Sequence, residues 1–244
     1  VSATASRLRT AVLASTRAFA RDPFHLAVLL VLPPAVVVGY GEAMAAFPQL
    51  PGLSAPPRAL GRISGATFAA AFLAGLVGLF QVISARRADG RLGLAGFPRT
   101  HLLAGRFATV ALVALVGASV SLASVWYDTA PERPALALAA LALAGLTYGA
   151  LGVLVGALLP RELEGSLVLV FVADIDAAMA TGIVGELDGI AWVFPLSHVH
   201  TLVETAVLGG DVALADAAGA VGYALVLAAA ATLAYARLTR GGAA

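Results

Sequence analysis

Six apolar runs of about 20 residues, each closed by arginine, proline or an acid, leave this chain few ways to fold, because a helix of that length matches the hydrocarbon thickness of a bilayer. The expected spans are residues 24–46, 64–85, 102–126, 135–159, 166–184 and 212–236. Composition agrees: 60% of residues are hydrophobic and 12% charged, where soluble domains hold about 45–50% and about 25%. The expected fold class is an all-α membrane protein, a single transmembrane domain over residues 1–244. The stretch 185–210 is also apolar, but Glu186, Asp188, Pro195, His198, His200 and Glu204 interrupt it. It reads as short helices lying in or dipping into the interface between spans five and six, not as a span.

Arginine sets the orientation, since guanidinium groups are retained on the cytoplasmic side during insertion. With the first residues inside, Arg7, Arg9, Arg17, Arg21, Arg86, Arg87, Arg91, Arg99, Arg106, Arg161, Arg237 and Arg240 face the cytoplasm, and Arg58, Arg62 and Arg133 face out. Both ends are then cytoplasmic, and no signal-peptide cleavage pattern precedes the first span. Residues 1–22 read as an interfacial helix with Arg7, Arg17 and Arg21 on an arc opposite Leu8, Val12 and Phe19, or else as a plain positive-inside anchor. Asp22-Pro23 breaks that helix and turns the chain into the membrane.

The residue types that are missing exclude whole classes of chemistry. The chain has no Cys and no Lys, which rules out disulfides, thiolate nucleophiles, lysine Schiff bases and a Walker A loop of its own. No H-E-x-x-H or G-x-S-x-G occurs, and no Ser-His pair is suggested by spacing. His198, His200 and Glu204 cluster, and a helix would put His200 and Glu204 on one face, but metal ligation by that pair lacks a third ligand at fixed spacing. No cofactor is implied, and a net charge of +1 gives no nucleic-acid footprint. The chain is therefore not expected to be an enzyme.

Within the membrane, Gly145, Gly149, Gly152 and Gly156 fall on one face of span four and let another helix approach closely, inside the bundle or across a subunit interface. Pro33-Pro34 and Gly39-Tyr40-Gly41 weaken span one and suggest a kink. Asp174 and Asp176 lie near the midplane of span five, where a charge costs about 2.5–3.5 kcal/mol. Two helical positions apart means about 200° of rotation, so the two carboxyls point to opposite sides. Each reads either as a polar point on a pathway or helix seam, or as a hydrogen-bonded acid holding helices together. Glu42 and Gln81 lie near span ends, where snorkelling or packing suffices.

The most charged connection, residues 84–106, carries Arg86, Arg87 and Arg91 around Asp89 and Gly90, then Leu92, Leu94 and Phe97 before Pro98. Such a segment, 86–101, could press apolar knobs into a soluble partner and fix its angle with arginines, or serve only as a topology-setting loop. Together with Leu102, Leu103, Gly105 and Arg106, the residues Asp89, Gly90, Leu92 and Pro98 resemble the coupling segment of type-2 ABC exporter permeases, the group that includes daunorubicin-type drug efflux and polysaccharide export. Arginines stand where that family often has Glu before the Gly, and the Gly-to-Pro spacing is slightly short. The resemblance implies six spans, an N-terminal interfacial helix and an outer re-entrant hairpin at residues 185–210. It also implies separate nucleotide-binding ATPase subunits, a second permease copy or homologue, and export of a hydrophobic or amphipathic substrate across the plasma membrane. The alternatives are a non-transporting assembly subunit and an intramembrane enzyme. Abundant Ala and Arg with no Lys suggest GC-rich coding and hence a prokaryotic source.

Overall fold

The computed structural model describes residues 3–48, 55–180, 190 and 192–240. Among them the chain is all helix: α1 Ala3–Ala20, α2 Pro23–Ala45, α3 Pro57–Leu94, α4 Arg99–Trp126, α5 Pro134–Leu158, α6 Glu162–Ala180, α7 Pro195–Leu208 and α8 Leu214–Arg240. Proline at the first helical position starts α2, α3, α5 and α7, where its missing N–H costs nothing. The Asp22 carboxylate accepts from Phe24 N–H at 2.9 Å and caps α2. α2 then runs through Pro33 and Pro34 as one helix.

Five of these helices, α2, α3, α4, α5 and α8, are long and apolar enough to cross a membrane. α6 is apolar along most of its 19 residues but carries Glu162, Glu164, Asp174 and Asp176. The fifth expected span, 166–184, is helical to Ala180, and its last four residues lie outside the described ones. α7, at 14 residues, is about 21 Å long, too short for a hydrocarbon core of about 30 Å. Glu186 and Asp188 of the expected outer hairpin lie outside the described residues.

α3 is the central post. It packs against α2, α4, α5 and α6, and its residues 61–67 are all buried. α3 and α5 run in the same direction with their backbones in contact; Gly152 and Gly156 of α5 face α3, and Gly145 and Gly149 face α4 with α3 carbonyls beside them. A Cβ on Gly152 would strike the Gly75 carbonyl, one on Gly149 would strike Val110 Cγ1, and one on Gly156 would sit 2.8 Å from Leu79 O. A Cβ on Gly145 would lie 2.7 Å from Ala114 Cβ. Of the two packing modes open to this face, the bundle interior is the one realised. α1 lies against α4 through Ala11, Ser15 and Phe19; Gly105 permits the approach, since a Cβ there would come within 2.9 Å of Ala11 O. Thr109 donates to Ser15, and Ser15 to Gln81, which pins α1 across α4 and α3.

Because helix directions alternate, the ends of α1, α3, α5 and α8 and the starts of α2, α4 and α6 share one end of the bundle, which carries the twelve arginines grouped together above. At the other end Arg62, 6% exposed, pairs with Asp128, while Arg58 pairs with Glu42 at 2.8 Å, tying α2, α3 and the α4–α5 turn together. Glu42 is thus an ion-pair partner as well as a residue near a helix end.

A methyl group added at the seam must push backbone aside, which costs about 1–3 kcal/mol. Gly152→Ala should lower the thermal unfolding midpoint of the detergent-solubilised chain by several degrees. Gly222→Ala, where a Cβ inside α8 meets open space, should not lower it, since Ala is the better helix former.

Candidate functional site

The arginine-rich end sorts its residues into two sets. Arg86 turns inward: its Nη2 donates to Gly156 O at 2.7 Å and Leu159 O at 2.8 Å. These carbonyls end α5, where they lack helical partners and carry the negative end of the helix dipole, so a guanidinium is well placed there. Asp89 is buried at 3% exposure. Arg106 Nη2 reaches its two oxygens at 2.9 and 3.2 Å, and the Tyr235 hydroxyl donates to Oδ2 at 2.7 Å. One carboxylate therefore joins α3, α4 and α8. Arg86 and Asp89, expected on the docking surface, are instead internal ties.

The outward set is Arg87, Gly90, Arg91, Leu92 and Leu94, the last 79% exposed, with Phe97 and Pro98 half-buried behind them. The segment does not form a separate element. α3 continues to Leu94 because nothing between Ala85 and Leu94 breaks a helix strongly enough, and it stops where Gly96 takes φ +80°. There Phe97 N–H donates to Leu92 O at 2.9 Å and Gly96 N–H to Gly93 O at 3.1 Å, a double closure of the last turn that only glycine allows cheaply, with Pro98 barring continuation. The exposed arginines and leucines thus crown a rod whose other end is buried in the bundle. A 38-residue helix spans about 57 Å, nearly twice the hydrocarbon core.

The two acids of α6 do point apart. Asp176 is fully buried; it accepts from the Tyr148 hydroxyl at 2.5 Å and from Leu196 N–H at 3.0 and 3.2 Å. Leu196 lies in the first turn of α7, so this carboxylate caps a helix that follows it by 20 residues and ties α5, α6 and α7 at one point. Asp174 is exposed on the far side, flanked by exposed Phe171 and Ile175.

A contact that spacing did not suggest joins α3 to α7. Ser64 Oγ lies 3.0 Å from His200 Nε2, and His200 Nδ1 lies 3.9 Å from Glu204. The order resembles a nucleophile, base and orienting acid, but Ser64 donates to Leu60 O at 3.0 Å. Burial holds the His200 imidazole below its usual range, so the neutral ring donates from Nε2 to Ser64. The gap beside them, lined by Thr67, Phe68 and Leu196, holds no space for a water molecule. The geometry is that of a clasp between helices. His198 turns elsewhere, with Nδ1 3.0 Å from Asp216 and Nε2 3.0 Å from Trp192 O. The two histidines therefore do not converge, and no three potential metal ligands do among the described residues. Ser64 and His200 are 136 residues apart, so only the fold could reveal the pair.

Neither the family models nor the curated proteins compared with this chain give a match.

Removing one donor from a buried carboxylate costs about 1.5–3 kcal/mol. Tyr148→Phe should therefore lower the unfolding midpoint, and Asp176→Ala, which strands both the hydroxyl and Leu196 N–H, should lower it further. Asp174→Asn should not lower it, as read by thermal scanning in detergent.

Proposed function

We propose that this chain is the membrane-spanning permease subunit of an ATP-driven exporter of the type-2 ABC kind, working with separate nucleotide-binding subunits and a second permease copy or homologue. In this reading α6 is the fifth of six spans, α1 lies along the cytoplasmic surface of the plasma membrane, the arginine-rich end faces the ATPase, and the α6–α8 connection forms a re-entrant outer hairpin. The observation that carries it is the crown of Arg87, Arg91, Leu92 and Leu94 on the tip of α3. Exposed leucines framed by guanidinium groups suit an apolar groove with an acidic rim, and a continuous helix carries a push at the tip into the bundle core.

The mechanism follows from rigidity. Nucleotide-driven closure of the ATPases displaces the tip, and α3 passes the displacement to α5 through the glycine seam, because backbones in contact cannot slide past one another without a gap opening. Asp89 with Arg106 and Tyr235 makes α4 and α8 move with it. A hydrophobic or amphipathic substrate then meets a pathway between two permease copies that opens to alternate sides.

Reconstituted with the ATPase it is proposed to bind, the chain should stimulate ATP hydrolysis. Arg87→Glu and Leu94→Asp should each cut that stimulation by about tenfold, in line with the loss of an interface anchor, while the chain stays in the membrane. Undiminished stimulation in both variants would exclude the docking role.

A further inference from the structure

Beside α1 the packing leaves a cavity of about 180 Å³, enclosed by α1, the start of α2, α3 and α4. A single water needs roughly 10–15 Å³, so this is more than a packing defect. Asp22, His25, Ser84 and Arg106 line it, and Val77 and Phe80 add an apolar wall. Ser15 and Gln81, which also line it, are joined at 3.3 Å and hold α1 to α3 there. The lining thus carries one fixed charge of each sign, and the two are not paired with each other. Asp22 takes Phe24 N–H on one oxygen and lies 2.9 Å from His25 Nδ1 with the other. A carboxylate offers about four lone-pair sites, so about two stay free. Arg106 is held by Asp89 through Nη2 alone, one nitrogen of a fork that carries five N–H groups.

The level of the cavity matters as much as its lining. His25 stands at the start of the first apolar run and Ser84 at the end of the second, where headgroups meet hydrocarbon in the expected topology. Immediately beyond, α2 exposes Phe24, Leu26, Leu30 and Val31.

We infer that this cavity holds the headgroup of a phospholipid that carries a primary amine, its phosphate at Arg106 and its ammonium at Asp22, with the acyl chains along the exposed face of α2. A phosphate alone meets repulsion from Asp22, and a lone cation meets it from Arg106. A guanidinium and a phosphate pair through charge-assisted hydrogen bonds, as do a primary ammonium and a carboxylate. A quaternary ammonium fits the charges but brings no N–H to the free lone pairs of Asp22. A soluble zwitterion of the same chemistry satisfies the charged lining, yet only a lipid gains further by covering the apolar face of α2. The bound headgroup fastens α1 to α3 and α4. Only a membrane surface at this level is required, not an ATPase partner.

The probes are dioleoyl phosphatidylethanolamine, its choline and glycerol counterparts with the same chains, and water-soluble glycerophosphoethanolamine. Each is titrated into the purified, delipidated chain in dodecyl maltoside, and the thermal unfolding midpoint is followed, since a ligand of the folded state raises it. The ethanolamine lipid should half-saturate at about a tenth of the concentration that either counterpart needs, the effect of one charge-assisted hydrogen bond that only it makes. Asp22→Asn, which keeps a capping side chain, should abolish that preference. Ala18→Trp, which puts a large ring into the cavity and leaves both charges in place, should abolish it too. Equal half-saturation by the ethanolamine and choline lipids overturns the site, as does a preference that survives in either variant. A midpoint that no lipid moves leaves the space to water and overturns it as well. Glycerophosphoethanolamine acting as strongly as the lipid overturns the membrane as its source. Lost ATPase stimulation with the amine preference intact rejects the permease and keeps the site.

Discussion

Between Ala70 and Leu79 of α3 and Gly145 and Gly156 of α5, two helices run in the same direction with backbone against backbone. No hydrophobic force draws helices together in lipid, so contact as close as this is where van der Waals attraction is concentrated. Much of the remaining topology follows. Parallel neighbours need a returning helix, and α4 fills that role, with Ala114 and Val110 closing the seam from the side. α2 and α6 are left the two flanks of α3.

Polar contacts then fix what the seam leaves free. Asp89 and Asp176 sit towards opposite ends of the bundle and do the same work, each a buried carboxylate with three contacts from two other helices. Removing either carboxylate strands the donors gathered around it, which is costly in a medium that cannot solvate them. Arg86 adds a third tie by holding the end of α5 against α3. Ties of this kind make the bundle a few rigid pieces, which is what the proposed coupling requires.

Features that depend on helical periodicity were legible in the sequence. The glycine face of α5 needed only a spacing of three and four, and the opposed directions of Asp174 and Asp176 needed only their separation by two. Long-range partners were not legible. Arg86 and Asp89 look like Arg87 and Arg91 in the chain, and nothing local tells that the first pair meets α5, α4 and α8 while the second meets solvent. The continuation of α3 to Leu94 could have been read from its stop signal, since Gly96 followed by Phe97-Pro98 is where a helix can close and not where it must begin to fray. The Ser64–His200 clasp and the cavity beside α1 exist only once α7 is seated on α3 and α1 on α4.

Function in this account turns on which side of the membrane the crown of α3 occupies. The chain contains no cysteine, so single cysteines can be placed without background. Labelling of intact cells with a membrane-impermeant maleimide compares Leu94→Cys, at the exposed tip, with Ala130→Cys, exposed at the opposite end. The account predicts that position 130 reacts in intact cells and position 94 only after lysis. Reaction at position 94 in intact cells would place the arginine-rich end away from ATP and contradict it.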